Sequence, residues 1–326
     1  MKRLFTLIAL LVIVASATAQ TKLTSPWQLA TADAYKFAME LNQYNAICAK
    51  STTDQMKLDS LLIDIWGIKI NELFIYDGLG RLIEIKALGT DSLGALINEA
   101  RIVLAYDASG RLHIVTTYLW DVPTLNWLFE QRDSYSYTGP NLINEILSES
   151  WDLSNNVWVN MEKTVYTHNA QNLTATETLM EWVVSNWINS NRLINGYNGT
   201  KITYSVDQFW SGSSWTDSDS TYFAYDGSSQ LREELSFYWM GSAWQKSEKI
   251  THHYIAPSKR DTIINYYWNQ SDLYWNPIDM KVSTFDSNGD FDEVISFTYD
   301  SFDSLWTSNF REWYDYDVNY TFSDLV

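Results

Sequence analysis

A tryptophan followed ten residues later by a second ring residue recurs along most of this 326-residue chain. From Trp127 onward, successive copies begin 28 to 31 residues apart. A fixed period of this length is typical of a repeat protein. The copies are Trp66/Tyr76, Trp127/Tyr137, Trp158/His168, Trp187/Tyr197, Trp215/Tyr225, Trp244/Tyr254, Trp275/Phe285 and Trp306/Tyr316, with a degenerate copy at Leu96/Tyr106.

A second aromatic residue precedes most of these tryptophans by five or seven positions, as Trp151 precedes Trp158 and Trp210 precedes Trp215. The residues between the two rings are mostly small or polar, which predicts hairpin loops of four or six residues closed by two indoles. Nearly all of the variation in unit length falls in this connection. The segments on either side therefore read as strands in register.

The connection after the tyrosine has different chemistry. It reads Tyr76-Asp-Gly-Leu-Gly-Arg-Leu82 in one copy and Tyr106-Asp-Ala-Ser-Gly-Arg-Leu112 in the next. Asp side chains favour tight turns because they accept hydrogen bonds from the backbone that follows. The glycines that can take a positive φ in these turns are Gly80, Gly110 and Gly289.

Between the turns the chain is rich in Thr, Val, Ile, Tyr and Trp, which indicates strands. Ten is an even separation, so each Trp and its Tyr should lie on the same side of a regular strand. About nine tandem hairpins, and so about eighteen strands, exceed what a flat open sheet accommodates. We expect an all-β fold in which they form a long coiled antiparallel sheet. A propeller is disfavoured because a blade needs four strands in about 40 to 50 residues.

The turn sequences resemble the Y-D-x-x-G-R-L core of the YD, or RHS-type, repeats. The wider pattern, a Trp-bounded loop followed by Tyr-Asp, is similar to exported proteins of Bacteroidota. The resemblance runs from about residue 56 to residue 317. It implies an exported β-repeat protein, or a fragment of an RHS-like shell or larger adhesin associated with toxin delivery.

Residues 1–19 combine Lys2 and Arg3 with an apolar run and the small residues Ala17 and Ala19, which predicts a cleaved Sec signal peptide. We therefore expect an extracellular, cell-surface or periplasmic protein with no membrane insertion after cleavage. Residues 20–50 form a predicted cap segment. One helical face there carries Ala34, Phe37, Ala38, Leu41, Tyr44 and Cys48, and the repeat domain occupies 51–326.

The chain has a net charge of -18, which argues against nucleic acid or an anionic membrane as a partner. Its single cysteine allows no internal disulfide. No motif indicates a cofactor, and we expect no enzymatic activity. The four histidines read as structural or surface residues. The one weak candidate for a calcium site is the acidic turn with Asp286, Asp290 and Asp292, which lacks the glycine placement of an EF-hand loop.

Two roles remain from the residues. In the first, the protein is a non-enzymatic scaffold or binding module whose aromatic rows bind a glycan or a cell-surface protein. In the second, it is part of an RHS-like shell. Tryptophans that close hairpins are often used in packing against each other, so their exposure decides whether they can bind. The candidate binding residues are Trp127, Trp151, Trp158, Trp182, Trp187, Trp210, Trp215, Trp239, Trp244, Trp268 and Trp275.

Overall fold

The computed structural model describes residues 60–65, 68–90, 95–256, 259–287 and 291–313, and all regular structure in these ranges is β-strand. The all-β prediction is confirmed for these residues. The signal peptide, the predicted helix within 20–50 and Trp66 lie outside them. None of the described residues forms a helix of the length and apolarity needed to cross a bilayer.

The strands are numbered in chain order. They are β1 (Ser60–Ile65), β2 (Ile68–Tyr76), β3 (Leu82–Thr90), β4 (Leu96–Tyr106), β5 (Leu112–Asp121), β6 (Asn126–Thr138), β7 (Leu142–Asp152), β8 (Val157–His168), β9 (Thr174–Val183), β10 (Asn186–Asn198), β11 (Lys201–Trp210), β12 (Trp215–Tyr225), β13 (Leu231–Trp239), β14 (Trp244–Ala256), β15 (Lys259–Asn269), β16 (Tyr274–Phe285), β17 (Phe291–Asp300) and β18 (Leu305–Trp313).

The chain divides into two compact units. Unit 1 comprises Met1–Thr164 and Glu181–Trp187, and unit 2 comprises Val165–Met180 and Ile188–Val326. In unit 1, consecutive strands pair with each other from β1–β2 through to β6–β7. In unit 2, the strands from β10 to β18 do the same. All of these pairings are antiparallel, as the hairpin spacing predicted.

A β-bulge follows the tryptophan end of the hairpins. In the pair β5–β6, Tyr118 lies opposite Phe129, but Thr117 lies opposite Gln131, so Glu130 has no partner residue. In the pair β11–β12, Ser218 is the extra residue, since Gln208 lies opposite Asp217 and Asp207 opposite Asp219. One extra residue reverses the alternation of side chains beyond it.

The bulge overturns one expectation. Because ten residues that include one bulge reverse the alternation, each repeated Trp and the Tyr ten residues after it lie on opposite sides of the sheet. Trp127 and Tyr137 show this in unit 1, as Trp215 and Tyr225 do in unit 2. The side that carries the indoles is called the Trp face of each unit, and the other side the Tyr face. The two kinds of ring therefore have separate surroundings.

The Tyr face of unit 1 carries an apolar core. Its buried members are Phe74, Leu82, Ile85, Leu104, Leu112, Val115 and Tyr135, with Tyr76, Tyr106 and Tyr137 packed against them. Leu82 is the most deeply buried of these, with 0% of its surface exposed. It is the first strand residue after the Tyr-Asp turn, so the turn and the core are built by consecutive residues.

The Tyr-Asp turns explain their sequence motif. Asp77 Oδ1 accepts hydrogen bonds from the backbone N–H groups of Leu79 and Arg81, both at 2.9 Å. Gly80 has a φ of 82°. The Arg81 guanidinium bonds to Asp77 and lies 4.6 Å from the ring centroid of Tyr106 in the following turn. The hydroxyl of Tyr106 donates to the carbonyl of Leu82 at 2.7 Å, which ties each turn to the next.

The same turn persists where the motif is incomplete. Asn169 replaces the aspartate and accepts the same two backbone hydrogen bonds, while Asn172 and Ser229 take the positive φ angles of 62° and 71°. In the turn after Tyr225, the cation comes from Arg232, which pairs with Asp226 and stacks on Tyr254 at 5.1 Å. The positive φ predicted at Gly110 is present, and Gly289 lies outside the described residues.

Candidate functional site

The loops at the tryptophan edge hold the indoles in place. In the six-residue loops, a leading Asp or Asn accepts backbone hydrogen bonds, as Asp152 does from Ser154 at 2.8 Å and Asn155 at 3.2 Å. The four-residue loop between Trp210 and Trp215 is closed by the N–H of Ser211, which donates to the carbonyl of Ser214 at 2.9 Å. Gly212 has a φ of 93°, as the first central residue of a tight hairpin turn requires.

Each loop brings two rings into contact across its hairpin. The centroids of Trp151 and Trp158 are 5.0 Å apart with an interplanar angle of 67°, an edge-to-face arrangement. The same contact recurs, with centroid distances of 4.9 to 5.2 Å, in Trp120–Trp127, Trp182–Trp187, Trp210–Trp215, Trp239–Trp244, Trp268–Trp275 and Tyr299–Trp306. Such pairs contribute about 0.5–1.5 kcal/mol beyond area burial.

All eleven predicted binding tryptophans lie in these pairs, and every one is half-buried. They belong either to unit 1 (Trp127, Trp151, Trp158, Trp182 and Trp187) or to unit 2 (Trp210, Trp215, Trp239, Trp244, Trp268 and Trp275). The indoles are therefore neither enclosed in a core nor fully presented to solvent. Trp120, Tyr299 and Trp306 occupy equivalent positions and complete the set.

Basic side chains pack over many of these indoles. The Arg132 guanidinium lies 4.7 Å from the Trp158 ring centroid, and Arg192 lies 4.5 Å from that of Trp215. Lys163 lies over Trp187 at 4.9 Å, and Lys246 over Trp268 at 4.1 Å. Each cation comes from the strand preceding the hairpin that it covers. A cation over an indole is favourable by about 0.5–1 kcal/mol at an exposed site and by about 2 kcal/mol when desolvated, so these contacts help to orient the rings.

The arginines are themselves held by polar partners on the Trp face. Arg132 donates from Nε and Nη2 to Glu149 Oε2 at 2.8 and 2.6 Å. In unit 2, Arg192 Nε donates to Gln208 Oε1 at 2.9 Å, and Gln208 Nε2 donates to Asp217 Oδ1 at 2.6 Å. Carboxylate, amide, guanidinium and indole groups thus alternate across one face. This surface offers both hydrogen-bonding groups and ring edges.

The Tyr face of unit 2 carries a buried histidine with polar partners. His252 is 6% exposed, and its Nε2 lies 2.7 Å from Glu234 Oε1. Since Arg260 Nη1 donates to His252 Nδ1 at 3.2 Å, Nε2 carries the proton and donates to Glu234. The neighbouring His253 is exposed and pairs with Asp261 at 2.7 Å. These contacts agree with the structural role expected for histidine.

Several carboxyl groups are protonated more easily than usual. Burial raises the pKa of Asp133, which is 6% exposed and accepts a hydrogen bond from Gln131 at 3.1 Å. In unit 2, burial and then the charge of Asp219, which lies directly opposite, raise the pKa of Asp207. Burial and then the charge of Asp207 raise the pKa of Glu177.

No group of three or more His, Cys, Asp or Glu side chains among the described residues could hold a metal ion. Of the weak calcium candidate, Asp286 and Asp292 are described, and Asp290 lies outside the described residues. Thr284 Oγ1 donates to Asp292 at 3.4 Å.

No protein-family model matches the chain, and no characterised protein matches it in sequence. Among solved structures, a protein of unknown function from Bacteroides fragilis is 16% identical with a TM-score of 0.34, and the match covers 39% of this chain and 93% of that chain. A porin-like protein from Bacteroides uniformis is 8% identical with a TM-score of 0.32, covering 77% of this chain and 91% of that chain.

The Photorhabdus luminescens Tc holotoxin pore with TccC3 is also similar, at 10% identity and a TM-score of 0.28. That match covers 78% of this chain and 16% of the toxin chain. With TM-scores this low, none of these similarities carries a function to this chain. The resemblance to YD repeats stays at the level of the turn motif in the sequence.

Proposed function

We propose that this protein is an exported, non-enzymatic repeat module that binds a glycan or a cell-surface protein with the Trp face of its sheet. The observation that supports the proposal most is the recurrence of half-buried indole pairs on one face of each unit. The ring pair returns hairpin after hairpin, and a cation covers it in four of the hairpins. A repeated surface suits a repeated ligand, because each weak contact raises the effective concentration for the next.

The chemistry of the face favours surface recognition. The indole edges are partly exposed, and the half-buried Gln208 stands beside them with its orientation set by Arg192. Aromatic residues and arginine are the side chains most often responsible for binding energy at protein surfaces. The predicted signal peptide would bring this face into contact with polysaccharides and proteins outside the cytoplasm.

A binding screen tests the proposal. The protein from residue 20 to 326 is presented with arrayed polysaccharides and cell-surface proteins, and binding is followed by tryptophan emission. We expect at least one ligand to shift the emission, and Trp215→Leu combined with Trp244→Leu to weaken its binding about tenfold, or 1.4 kcal/mol. The matched control is Tyr267→Leu, which alters a 43% exposed ring on the Tyr face of the same unit. A blank screen, or equal losses in both variants, would contradict the proposal.

A further inference from the structure

Three aromatic rings form a strip on the Trp face of unit 2, away from the loops. Tyr204, Tyr222 and Phe237 lie on the adjacent strands β11, β12 and β13. The ring centroids of Tyr204 and Tyr222 are 6.3 Å apart, and those of Tyr222 and Phe237 are 5.8 Å apart. Tyr204 is 39% exposed and Tyr222 50%, so this strip is more accessible than the indole pairs.

Tyr204 packs closely against a glycine on the neighbouring strand. Gly196 is its partner residue on β10. A Cβ atom at Gly196 would lie 2.0 Å from Cε1 and 2.4 Å from Cζ of the Tyr204 ring. The ring therefore occupies the space that a side chain at position 196 would fill, while Tyr204 keeps 39% of its surface exposed. Glycine inside a strand weakens it, and it often marks a place where another group approaches the backbone closely.

Hydrogen-bonding side chains lie on the same face around the strip. Gln208 is four residues from Tyr204 along β11, about 13 Å at the usual strand rise. It takes part in the ordered chain from Arg192 through Gln208 to Asp217. On the other side, Glu233 occupies the position diagonal to Tyr222, since Tyr222 lies opposite Leu235. An aromatic surface is thus bordered by an amide and two carboxylates.

This combination fits a sugar ring. A pyranose with equatorial hydroxyl groups has an apolar C–H face that stacks on an aromatic ring and a polar edge that requires donors and acceptors. A large apolar protein partner would need a wider contiguous apolar patch than three rings. The net charge of -18 disfavours an anionic polysaccharide.

We propose that Tyr204 and Tyr222, whose ring planes are inclined at 42°, form a platform on which successive sugar rings of a neutral glycan stack, with Glu233 and the Gln208–Asp217 pair binding its hydroxyl groups. This inference rests on the proposed function, and it names the ligand class and a specific site for it. The indole pairs lie on the same face, at the loop end of these strands.

The test uses an array of neutral, uronic-acid and sulfated polysaccharides, followed by calorimetric titration of the best neutral oligosaccharide. We expect neutral glycans to bind, and Tyr204→Ala and Tyr222→Ala each to raise the Kd about tenfold. Gly196→Ala should also raise the Kd, because the new Cβ would displace the Tyr204 ring. Tyr238→Ala is the matched control, since Tyr238 is 39% exposed on β13 but lies on the Tyr face. Its Kd should equal that of the parent protein.

The outcomes separate the inference from the proposed function. If binding survives in the Tyr204 and Tyr222 variants but is lost in the Trp215/Trp244 double variant, the platform is wrong and the Trp face remains the binding surface. Exclusive binding of anionic glycans or of a protein would overturn the neutral-glycan assignment. If no ligand of any class binds, both proposals fail. Thermal unfolding of each variant shows whether a loss of binding reflects a loss of fold.

Discussion

The Tyr faces of the two units are built by the same spacing of residues but differ in what they bury. In unit 1 this face holds the apolar cluster that includes Leu82, Leu104 and Val115. All buried apolar residues among those described belong to unit 1, whereas the buried residues on the Tyr face of unit 2 are His252 and Asn276. Turn motifs and ring pairs recur in both units. The turns and ring pairs at the two ends of the hairpins therefore set the strand register in both units. An apolar face is present in unit 1 and absent from the described residues of unit 2.

The largest expected difference between the units lies at the residue after the Tyr-Asp turn. Leu82 and Leu231 lie opposite Tyr76 and Tyr225, but Leu82 is fully buried and Leu231 half-buried. Leu82→Ala should destabilise the protein by about 2–5 kcal/mol, the range for core leucines, and Leu231→Ala by about 1 kcal/mol. Urea unfolding monitored by circular dichroism measures both. Equal losses would show that the apolar cluster is no more important than the edges.

The ring pairs should behave alike in the two units. A double-mutant cycle on Trp151 and Trp158 in unit 1, repeated on Trp239 and Trp244 in unit 2, measures the coupling free energy of each pair. Centroid distances of 5.0 and 5.1 Å predict a similar coupling of about 0.5–1.5 kcal/mol in both. A coupling near zero in unit 2 alone would mean that the contact between two indoles needs an apolar core beneath the sheet, which unit 2 lacks.

The tryptophan-edge loops differ in backbone strain. The loop between Trp182 and Trp187 has positive φ angles at Val184, 45°, and Ser185, 68°, whereas the loop between Trp210 and Trp215 uses Gly212. A β-branched residue in this region is strained, and Asn or Gly is favoured there. Val184→Asn should therefore stabilise the protein by about 1 kcal/mol. The control Ser213→Asn in the second loop should change the melting temperature little. A lower melting temperature for Val184→Asn would contradict the claim that the backbone at Val184 is strained.

The smallest effect concerns the acidic pair on the Tyr face of unit 2. Because the pKa of Asp207 is raised in the folded protein, its charge destabilises the fold above that pKa. The penalty is relieved as the pH falls through the folded pKa toward the unfolded value. Asp207→Asn should raise the melting temperature at pH 7 by an amount that disappears on acidification. A gain that is independent of pH would exclude the charge as its cause.

Much of this fold could be predicted from the sequence, because the repeat is built from local interactions. The aromatic spacing located the hairpins. The residues between paired tryptophans predicted one kind of turn, and the residues after each tyrosine predicted the other. Asp77 and Gly80 have the roles that turn chemistry assigns to them. The antiparallel order follows from short connections, which allow little else.

The faces of the sheet could not be predicted in this way. Glu130 and Ser218 are the extra residues of their bulges, and neither residue type distinguishes a bulge from a regular strand. Counting ten residues as an even number therefore placed Trp and Tyr together. The basic residues over the indoles were also missed, because Arg132 and Trp158 are far apart in the sequence and meet only through strand pairing.

If the Trp face binds and the Tyr face holds the fold, hydroxyl-radical footprinting with and without the neutral glycan selected on the array should separate the two. We predict that the glycan protects Tyr204, Tyr222 and the indoles of Trp215 and Trp244, while the exposed rings of Tyr238 and Tyr267 react equally in both samples. Protection of Tyr238 and Tyr267 with no change on the Trp face would contradict this assignment of the two faces.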